Sequence, residues 1–268
     1  MPPRRGRTGA VNEGLTVEGL RKRYGPHTAV DGVSFTLPPG GSLALVGESG
    51  SGKTTTARML VGLERADAGT VRLDGRDRSA RARGRAERLA RAREIQMVFQ
   101  DPYLSLDPRV TVSGCLDEVL RLHTDLDGAG RRARAAELLD RVGLGSREAS
   151  ALPRGLSGGQ RQRVAIARAL AVEPRVLVLD EAVAALDVSI QAQILDLLRE
   201  IRREAGVGYL FVTHDLAVVR HIADEVLVLR SGRIQEHGPV NRVLDAPRHP
   251  YTRLLLDSVP RRGWRPVG

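Results

Sequence analysis

The chain has 268 residues, of which 41% are hydrophobic and 28% are charged, and its formal net charge is +10. These values are ordinary for a globular protein and exclude disorder, collagen or a coiled coil as a description of the whole chain. Cys115 is the only cysteine, so the sequence holds no disulfide framework and no cysteine-based metal cluster. No apolar run reaches the ~18 residues that span a bilayer, and the basic residues 1–10 lead into no apolar signal segment. We therefore expect a soluble intracellular protein.

Short apolar runs and helical periods divide the chain into elements. The predicted strands are, in chain order, residues 15–20, 33–37, 42–46, 71–73, 95–99, 176–179, 209–212 and 226–229. The predicted helices are residues 53–62, 116–122, 131–142, 188–203 and 216–222. From residue 101 to residue 170 the pattern is helical, with no good strand. Fully apolar strands indicate a sheet buried on both faces, so we predict an α/β core with a helical insertion.

Arginine supplies most of the positive charge, because Lys22 and Lys53 are the only lysines among the 42 basic residues. The densest run, residues 76–93, holds no aromatic side chain that could stack on a base. We interpret this run as a solvated helical face rich in Ala and Arg, with an anionic contact as the alternative. Since lysine is so rare, Lys53 within a glycine-rich loop is a candidate functional residue.

That glycine-rich loop lies between a predicted strand and a predicted helix and fits the pattern G-x-x-x-x-G-K-[ST]. Its residues are Gly47, Glu48, Ser49, Gly50, Ser51, Gly52, Lys53 and Thr54. Glycines let backbone N–H groups converge on phosphate oxygens, and the helix N-terminus adds partial positive charge. The pattern predicts a nucleotide site with Lys53 on the β- and γ-phosphates and Thr54 on Mg²⁺. A glycine-rich turn with a chance lysine is the alternative.

Two carboxylates follow the apolar strand 176–179. Asp180 is predicted to hold Mg²⁺, and the adjacent Glu181 to polarise the attacking water. Alone, an acidic pair at a strand end is as often a solvated loop. Together with the phosphate loop it indicates nucleotide hydrolysis.

A second glycine-rich segment opens a helix further along the chain. Its residues are Leu156, Ser157, Gly158, Gly159 and Gln160. Such a helix start can bind an anion, and an ordinary N-cap by Ser157 is the alternative. The three segments in this order resemble the nucleotide-binding subunits of ATP-binding cassette (ABC) transporters, whose signature sequence is LSGGQ. The resemblance covers about residues 15–260 and implies a P-loop NTPase fold, with a RecA-like α/β core, an antiparallel β-subdomain and an inserted α-helical subdomain.

Four further residues match single-residue motifs of that family in the expected order. Tyr24 resembles the aromatic that stacks on adenine, and Gln100 the Q-loop glutamine that senses Mg²⁺ and water. His214 resembles the switch histidine that contacts the γ-phosphate, and Asp187 the D-loop aspartate. Without the resemblance, each is equally compatible with a surface or structural role, and Asp187 with a helix N-cap.

The resemblance implies that two cassettes face each other head to tail and close on ATP. The implied nucleotide contacts, some of them to a partner chain's ATP, are Tyr24, Gly47, Glu48, Ser49, Gly50, Ser51, Gly52, Lys53, Thr54, Thr55, Ser157, Gly158, Gly159, Gln160 and Asp187. The implied catalytic residues are Lys53, Gln100, Glu181 and His214. The implied Mg²⁺ ligands are Thr54, Gln100 and Asp180. Ala182 and Ala184 replace a proline and a serine of the family pattern. Neither change removes a catalytic group, so we expect the site to be catalytically active.

Two stretches narrow the branch of the family. Residues 100–109, QDPYLSLDPR, resemble the extended Q-loop of importers for oligopeptides, dipeptides, nickel or opines, and residues 249–260, HPYTRLLLDSVP, their C-terminal segment. An amphipathic helix started by Pro250 is also compatible with that segment. The family implies a second ATP-binding subunit, identical or paralogous, two membrane permease subunits that contact residues 103–109, and, indirectly, an extracytoplasmic solute-binding protein. It also implies a peripheral location at the cytoplasmic face of the membrane.

We divide the chain into a basic tail at residues 1–12, one ATP-binding domain at 13–260 and a tail at 261–268. The domain itself comprises a catalytic core at 13–100 and 170–238, a helical subdomain at 101–169 and a C-terminal segment at 239–260. The expected function is ATP hydrolysis that powers import of peptides, nickel or related small solutes. The alternatives are an accessory ABC-type ATPase, like that of the phosphonate-cleaving enzyme system, and a basic nucleic-acid-binding ATPase, although no specific nucleic acid is expected.

Overall fold

A computed structural model describes residues 14–258, and this part of the chain forms two β-sheets with helices around them. The first sheet is antiparallel, with strand order β2-β1-β4-β5. Its strands are β1 (Leu15–Tyr24), β2 (His27–Leu37), β4 (Ala68–Leu73) and β5 (Arg76–Asp77). The second sheet has the order β10-β9-β3-β8-β7-β6. Its strands are β3 (Ser42–Val46), β6 (Ile95–Val98), β7 (Val176–Asp180), β8 (Gly208–Thr213), β9 (Glu225–Arg230) and β10 (Arg233–Pro239).

Ten α-helices occur within residues 14–258. They are α1 (Lys53–Leu60), α2 (Gly84–Glu94), α3 (Val112–His123), α4 (Gly128–Arg141), α5 (Ser146–Ala149), α6 (Gly158–Leu170), α7 (Val188–Ala205), α8 (Leu216–Ile222), α9 (Val240–Asp245) and α10 (Pro250–Asp257). Among these residues, no helix combines the length and the apolar character that crossing a bilayer requires. The predicted tails at 1–12 and 261–268 lie outside the described residues.

The second sheet is parallel except for β10, and alternate residues of its strands enter two different cores. In β3, Leu43 and Leu45 pack with the antiparallel sheet and α1, whereas Ala44 and Val46 pack with the helices on the opposite face. A strand exposes successive side chains to opposite faces, so a run that is apolar at every position is covered on both sides. The prediction of a doubly buried sheet is therefore confirmed.

Helices fill the interval between β6 and β7, as predicted. Thr111 and Asp127 cap α3 and α4, because their side-chain oxygens accept the backbone N–H groups of Gly114 and Gly130 at 3.2 and 2.7 Å. These helices and α6 share one buried cluster with the β3–β8 face, which fixes the start of α6 relative to the sheet.

Two strands were not predicted, and the Arg-rich run is not uniform. β5 is only two residues long, and β10 reads RIQEHGP, which has no apolar alternation to mark it. Helix α2 carries no buried residue, in agreement with a solvated face. Arg78 is the exception in this run, because its side chain is buried and pairs with Glu94 at the end of α2.

Candidate nucleotide site

The loop between β3 and α1 approaches two other backbone segments so closely that two of its glycines are required. A Cβ atom on Gly47 would lie 2.1 Å from the carbonyl oxygen of Leu229, and one on Gly52 would lie 2.3 Å from that of Ala29. Gly52 also has a φ of 105°, which other residues rarely adopt. The loop therefore packs against the end of β9 and the start of β2.

Lys53 is the first residue of α1, and its ammonium group turns back over the loop. The Nζ atom donates to the carbonyl oxygens of Gly47 and Glu48 at 2.8 and 2.9 Å. Burial lowers the pKa of Lys53, while the nearby carboxylates of Glu181 and Asp180 oppose that shift. The charge is thus held at the loop and close to both carboxylates.

Ser51 carries a buried hydroxyl inside the same loop. Its Oγ atom has no hydrogen-bond partner among the described residues, although buried polar atoms normally have one. The unpartnered hydroxyl lies immediately before the N-terminus of α1, where backbone N–H groups favour an anion. This donor set fits the oxygens of a phosphate chain.

Asp180 lies at the carboxyl end of β7, directly across from α1. Its Oδ1 atom accepts a hydrogen bond from the Thr54 hydroxyl at 3.3 Å. Burial raises the pKa of Asp180, and the Thr54 hydrogen bond partly offsets this effect. No group of three or more His, Cys, Asp or Glu side chains suited to a metal occurs within residues 14–258. A hydroxyl and one carboxylate fit Mg²⁺, which commonly shares its coordination with phosphate oxygens and water.

Glu181 and His214 face each other across the ends of neighbouring strands. Glu181 has a φ of 48°, a left-handed conformation that costs a non-glycine residue roughly 1–3 kcal/mol. Its N–H donates to Val212 in β8 at 2.8 Å, so the sheet itself enforces this conformation. The Glu181 Oε1 atom lies 3.2 Å from His214 Nδ1. An ionised carboxylate only accepts, so the ring nitrogen that faces it donates.

Gln100 and Tyr24 lie at the margins of this cluster and are both exposed. Gln100 follows β6, and its side chain makes no hydrogen bond with any other described residue. It lines a cleft with Gly158 and Leu186, between the ends of three elements. The Tyr24 ring lies 5.2 Å from the Lys22 ammonium, and partial loss of solvent around the phenol, together with the Glu64 carboxylate, raises the pKa of Tyr24. Thr55, the remaining predicted contact, occupies the first turn of α1 and is partly buried.

The second glycine-rich segment opens α6 with a reciprocal cap. The Ser157 hydroxyl accepts from Gln160 N at 3.2 Å, and the Gln160 side chain accepts from Ser157 N at 2.9 Å. A Cβ atom on Gly159 would lie 2.5 Å from a methyl carbon of Ile190 in α7. Among residues 14–258, no hydrogen bond or ion pair joins this segment to the loop at 47–54 of the same chain.

Asp187 occupies the N-cap position of α7, but its side chain accepts no capping hydrogen bond. The carboxylate is exposed, and the following Val188 is 84% exposed. Helix α7 therefore starts without the side-chain hydrogen bond that an aspartate at the N-cap position usually accepts.

One contact to the phosphate loop was not predicted from the sequence. Glu48 N donates to the Tyr251 hydroxyl at 3.3 Å, across a separation of 203 residues. Tyr251 belongs to the HPYT segment that indicated the importer branch. The sequence motif could be recognised, but the contact of Tyr251 with the loop depends on how α10 packs, and local sequence does not predict that packing.

The fold and these residues define a P-loop nucleotide-binding cassette. The family described as ABC transporter matches residues 30–184, and the family described as oligopeptide/dipeptide transporter, C-terminal region, matches residues 235–265. The chain belongs to the ABC transporter family, and it carries the C-terminal region of the oligopeptide/dipeptide transporters.

Curated relatives share half of their aligned residues with this chain. It is 50% identical over 232 residues to the glutathione import ATP-binding protein GsiA of Escherichia coli K12, and 49% identical to that of Salmonella paratyphi A. Each alignment covers 87% of this chain and 37% of the relative, so the chain spans little more than a third of these proteins.

Solved cassettes share the fold over most of their length. The cbiO1 protein of Clostridium perfringens, described as part of the cbiONQ ABC transporter complex, has a TM-score of 0.78 and 29% identity, covering 88% of this chain and 92% of its own. The cassette MJ0796, as a dimer bound to ADP and Pi, has a TM-score of 0.75 and 30% identity, covering 84% and 98%. The predicted family and cassette fold are confirmed.

Proposed function

We propose that this chain hydrolyses ATP to power the import of small peptide-like solutes through a membrane permease. The observation that carries the proposal is the convergence of one lysine, one hydroxyl, two carboxylates and one histidine at the carboxyl ends of β3, β7 and β8. Ligands of open α/β sheets bind at that edge. The proposed parts of the domain are the core at 13–100 and 170–238, the helical subdomain at 101–169 and the C-terminal segment at 239–260.

The phosphate loop supplies binding and charge. Lys53 is already held over the loop and would neutralise the β- and γ-phosphates, while the Ser51 hydroxyl and the α1 N-terminus would bind phosphate oxygens. Thr54 and Asp180 would hold Mg²⁺, with Gln100 as a further ligand. When bound, the ion withdraws negative charge from the β- and γ-phosphate oxygens.

Glu181 is the proposed general base. Its left-handed backbone directs the carboxylate toward His214. Glu181 directly follows Asp180, the proposed Mg²⁺ ligand at the end of β7, and His214 follows the neighbouring strand β8. Glu181 would orient water and accept its proton, and His214 would bind the γ-phosphate oxygens and hold the Glu181 carboxylate in place. The Tyr24 ring, exposed beside Lys22, would stack on the adenine.

A second cassette completes the site. Ser157, Gly158, Gly159 and Gln160 make no bond to this chain's own loop, and the exposed Asp187 and Val188 lie beside them on α7. The likeness to the dimeric MJ0796 cassettes supports a pair of cassettes. In the head-to-tail arrangement that the family resemblance implies, Ser157 and Gly159 would close on the partner's ATP. The partner is a second copy of this chain or a paralogous ATP-binding subunit.

The solute class follows from the C-terminal region and the curated relatives. The match of residues 235–265 to oligopeptide/dipeptide transporters favours an importer over an accessory ABC-type ATPase or a nucleic-acid-binding ATPase. The relatives named for glutathione import favour small peptides over nickel. Two permease subunits, and through them an extracytoplasmic solute-binding protein, are the implied partners at the cytoplasmic face of the membrane.

The proposed permease contact is the loop around residues 103–109. Asp101 and Asp107 accept the backbone N–H groups of Tyr103 and Arg109, both at 2.9 Å, so two local turns hold the loop. The Tyr103 ring lies 4.7 Å from the Arg161 guanidinium of α6, and the Arg109 side chain is 88% exposed. A rigid turn with an exposed cation suits docking of a partner helix.

Charge reversal tests this contact and the import function together. In vesicles that contain the permease, Arg109→Glu should reduce solute uptake at least tenfold, because it places a negative charge in the docking surface. ATP binding to the isolated chain should be unchanged. Arg76→Glu is the matched control, because Arg76 is 83% exposed on β5, away from the loop. Normal uptake by Arg109→Glu would contradict the docking site.

A further inference from the structure

The HPYT segment is fixed at its start by two sets of hydrogen bonds. Glu236 accepts the backbone N–H groups of Arg248 and His249 at 2.8 and 3.1 Å. His249 then caps α10, because its Nδ1 atom accepts from Tyr251 N at 3.2 Å, and Pro250 occupies the first turn. The segment therefore delivers Tyr251 in one orientation.

Tyr251 is buried at the contact between α10 and the nucleotide-binding edge of the sheet. It is 2% exposed, and the Arg230 guanidinium lies 4.6 Å from the centre of its ring. Burial raises the pKa of Tyr251, so its hydroxyl stays protonated and neutral. Its oxygen accepts the N–H of Glu48, the second residue of the phosphate loop, at 3.3 Å.

The bonded N–H belongs to the same peptide group as the carbonyl that Lys53 contacts. Gly47 C=O accepts from Lys53 Nζ at 2.8 Å, and Glu48 N–H donates to Tyr251. No cis peptide bond occurs in the described part of the chain, so the two polar atoms of this peptide point in opposite directions. One peptide plane is thus held between the catalytic lysine on one side and Tyr251 on the other.

We propose that Tyr251 is a positioning residue for nucleotide binding: it orients the Gly47–Glu48 peptide and thereby fixes the Lys53 ammonium group. Gly47 has no side chain to restrict rotation about its Cα–C bond, so its own conformational preferences do little to fix the orientation of this peptide. The inference rests on the proposed ATP site. It gives the C-terminal segment of this chain a role in nucleotide binding that acts through the phosphate loop.

The test compares Tyr251→Phe with Tyr209→Phe, each of which removes one buried hydroxyl from an otherwise unchanged ring. Tyr209 lies on β8, and its hydroxyl donates to Leu198 O at 2.9 Å, within the helix-covered core. We expect Tyr251→Phe to weaken Mg-ADP binding, measured by titration calorimetry, and to raise the KM for ATP, both by roughly threefold to tenfold. The kcat should change by less than twofold, because Lys53 contacts the phosphates before and during hydrolysis.

Thermal unfolding of both variants separates positioning from general stability. The inference predicts that Tyr209→Phe lowers the melting temperature at least as much as Tyr251→Phe, yet keeps wild-type nucleotide affinity. Wild-type affinity and KM in Tyr251→Phe would overturn the inference, as would an equal loss of affinity in both variants. Failure of the wild-type chain to bind Mg-ATP would instead overturn the proposed function.

Discussion

Asp180 opposes folding through its burial, yet the proposed mechanism requires it as a Mg²⁺ ligand. Its carboxylate is 8% exposed at the end of a buried strand, and burial outweighs the Thr54 hydrogen bond in setting its raised pKa. A charge that is buried without a full set of partners destabilises the folded state. Mg²⁺ would supply the missing partner, so the metal-free protein keeps the cost.

Asp180→Asn should therefore stabilise the metal-free protein while abolishing its activity. Asn retains an oxygen that can accept the Thr54 hydroxyl but carries no charge. We expect a gain on the order of 1 kcal/mol, or about 2–4 °C in melting temperature, and a loss of Mg-dependent hydrolysis of roughly a hundredfold or more. Calorimetric melting without nucleotide, beside an ATPase assay, measures both effects.

The pH dependence of that gain has a definite sign. An unperturbed Asp has a pKa of about 3.9. Because the folded pKa is higher, folding favours the protonated carboxyl. Asp180 therefore carries no charge penalty below the unfolded pKa, and the penalty is complete once the pH has risen through the folded pKa. The advantage of Asp180→Asn should disappear in acid and grow as the pH rises toward the folded pKa of Asp180. An advantage that grows as the pH falls would contradict this account.

At the scale of elements, the start of α6 depends on its packing against α7. The capping box of Ser157 and Gln160 explains why the helix begins where it does. The absence of a side chain at Gly159 explains how α7 can lie against it, since a Cβ atom there would be 2.5 Å from Ile190. Local sequence predicts the cap, whereas the close approach of the two helices appears only in the folded structure.

Gly159→Ala should force these two helices apart. Overpacking of this kind costs typically 1–3 kcal/mol of unfolding free energy. Hydrolysis should fall at least tenfold, because the segment proposed to close on the partner's ATP is displaced, while Mg-ADP binding to this chain's own loop should persist. Denaturant unfolding and an ATPase assay measure these effects.

Gly155→Ala is the matched control for that substitution. A Cβ atom on Gly155 meets no atom within 4 Å, and its φ lies outside the left-handed region. It should leave stability and hydrolysis near the wild-type values. If the two alanine variants behaved alike, the packing explanation would be wrong.

The elements that the sequence predicts well are those with a strong local signal. β3 and α8 have the predicted bounds, because apolar runs and flanking glycine, proline or aspartate mark both ends. Helix α1 ends at Leu60 rather than at the predicted residue 62, because Gly62 has a left-handed backbone conformation that does not continue the helix. β10 could not be predicted, because its position depends on pairing with β9 and not on its own side chains.

At the scale of the whole molecule, the sheet brings together residues that are far apart in sequence. The carboxyl ends of the parallel strands β3, β7 and β8 carry Lys53, Asp180 and His214, respectively, at the strand end or just after it. Their convergence could therefore be predicted from motif order and strand direction. The contact of Tyr251 with the loop could not, since it depends on the packing of α10 against β9 and β10. The site residues were thus predictable where topology alone places them, and not where tertiary packing does.

The proposed role of Glu181 as the general base of an active ATPase can be tested by one comparison of hydrolysis rates. Glu173→Gln is the control, because Glu173 precedes the same strand, has a similar φ of 53° and pairs with Arg134 far from the loop. With saturating Mg-ATP, we expect Glu181→Gln to lower the hydrolysis rate by roughly 10²–10⁴-fold with ATP binding intact, while Glu173→Gln stays within twofold of wild type. Hydrolysis by Glu181→Gln at the wild-type rate would contradict it.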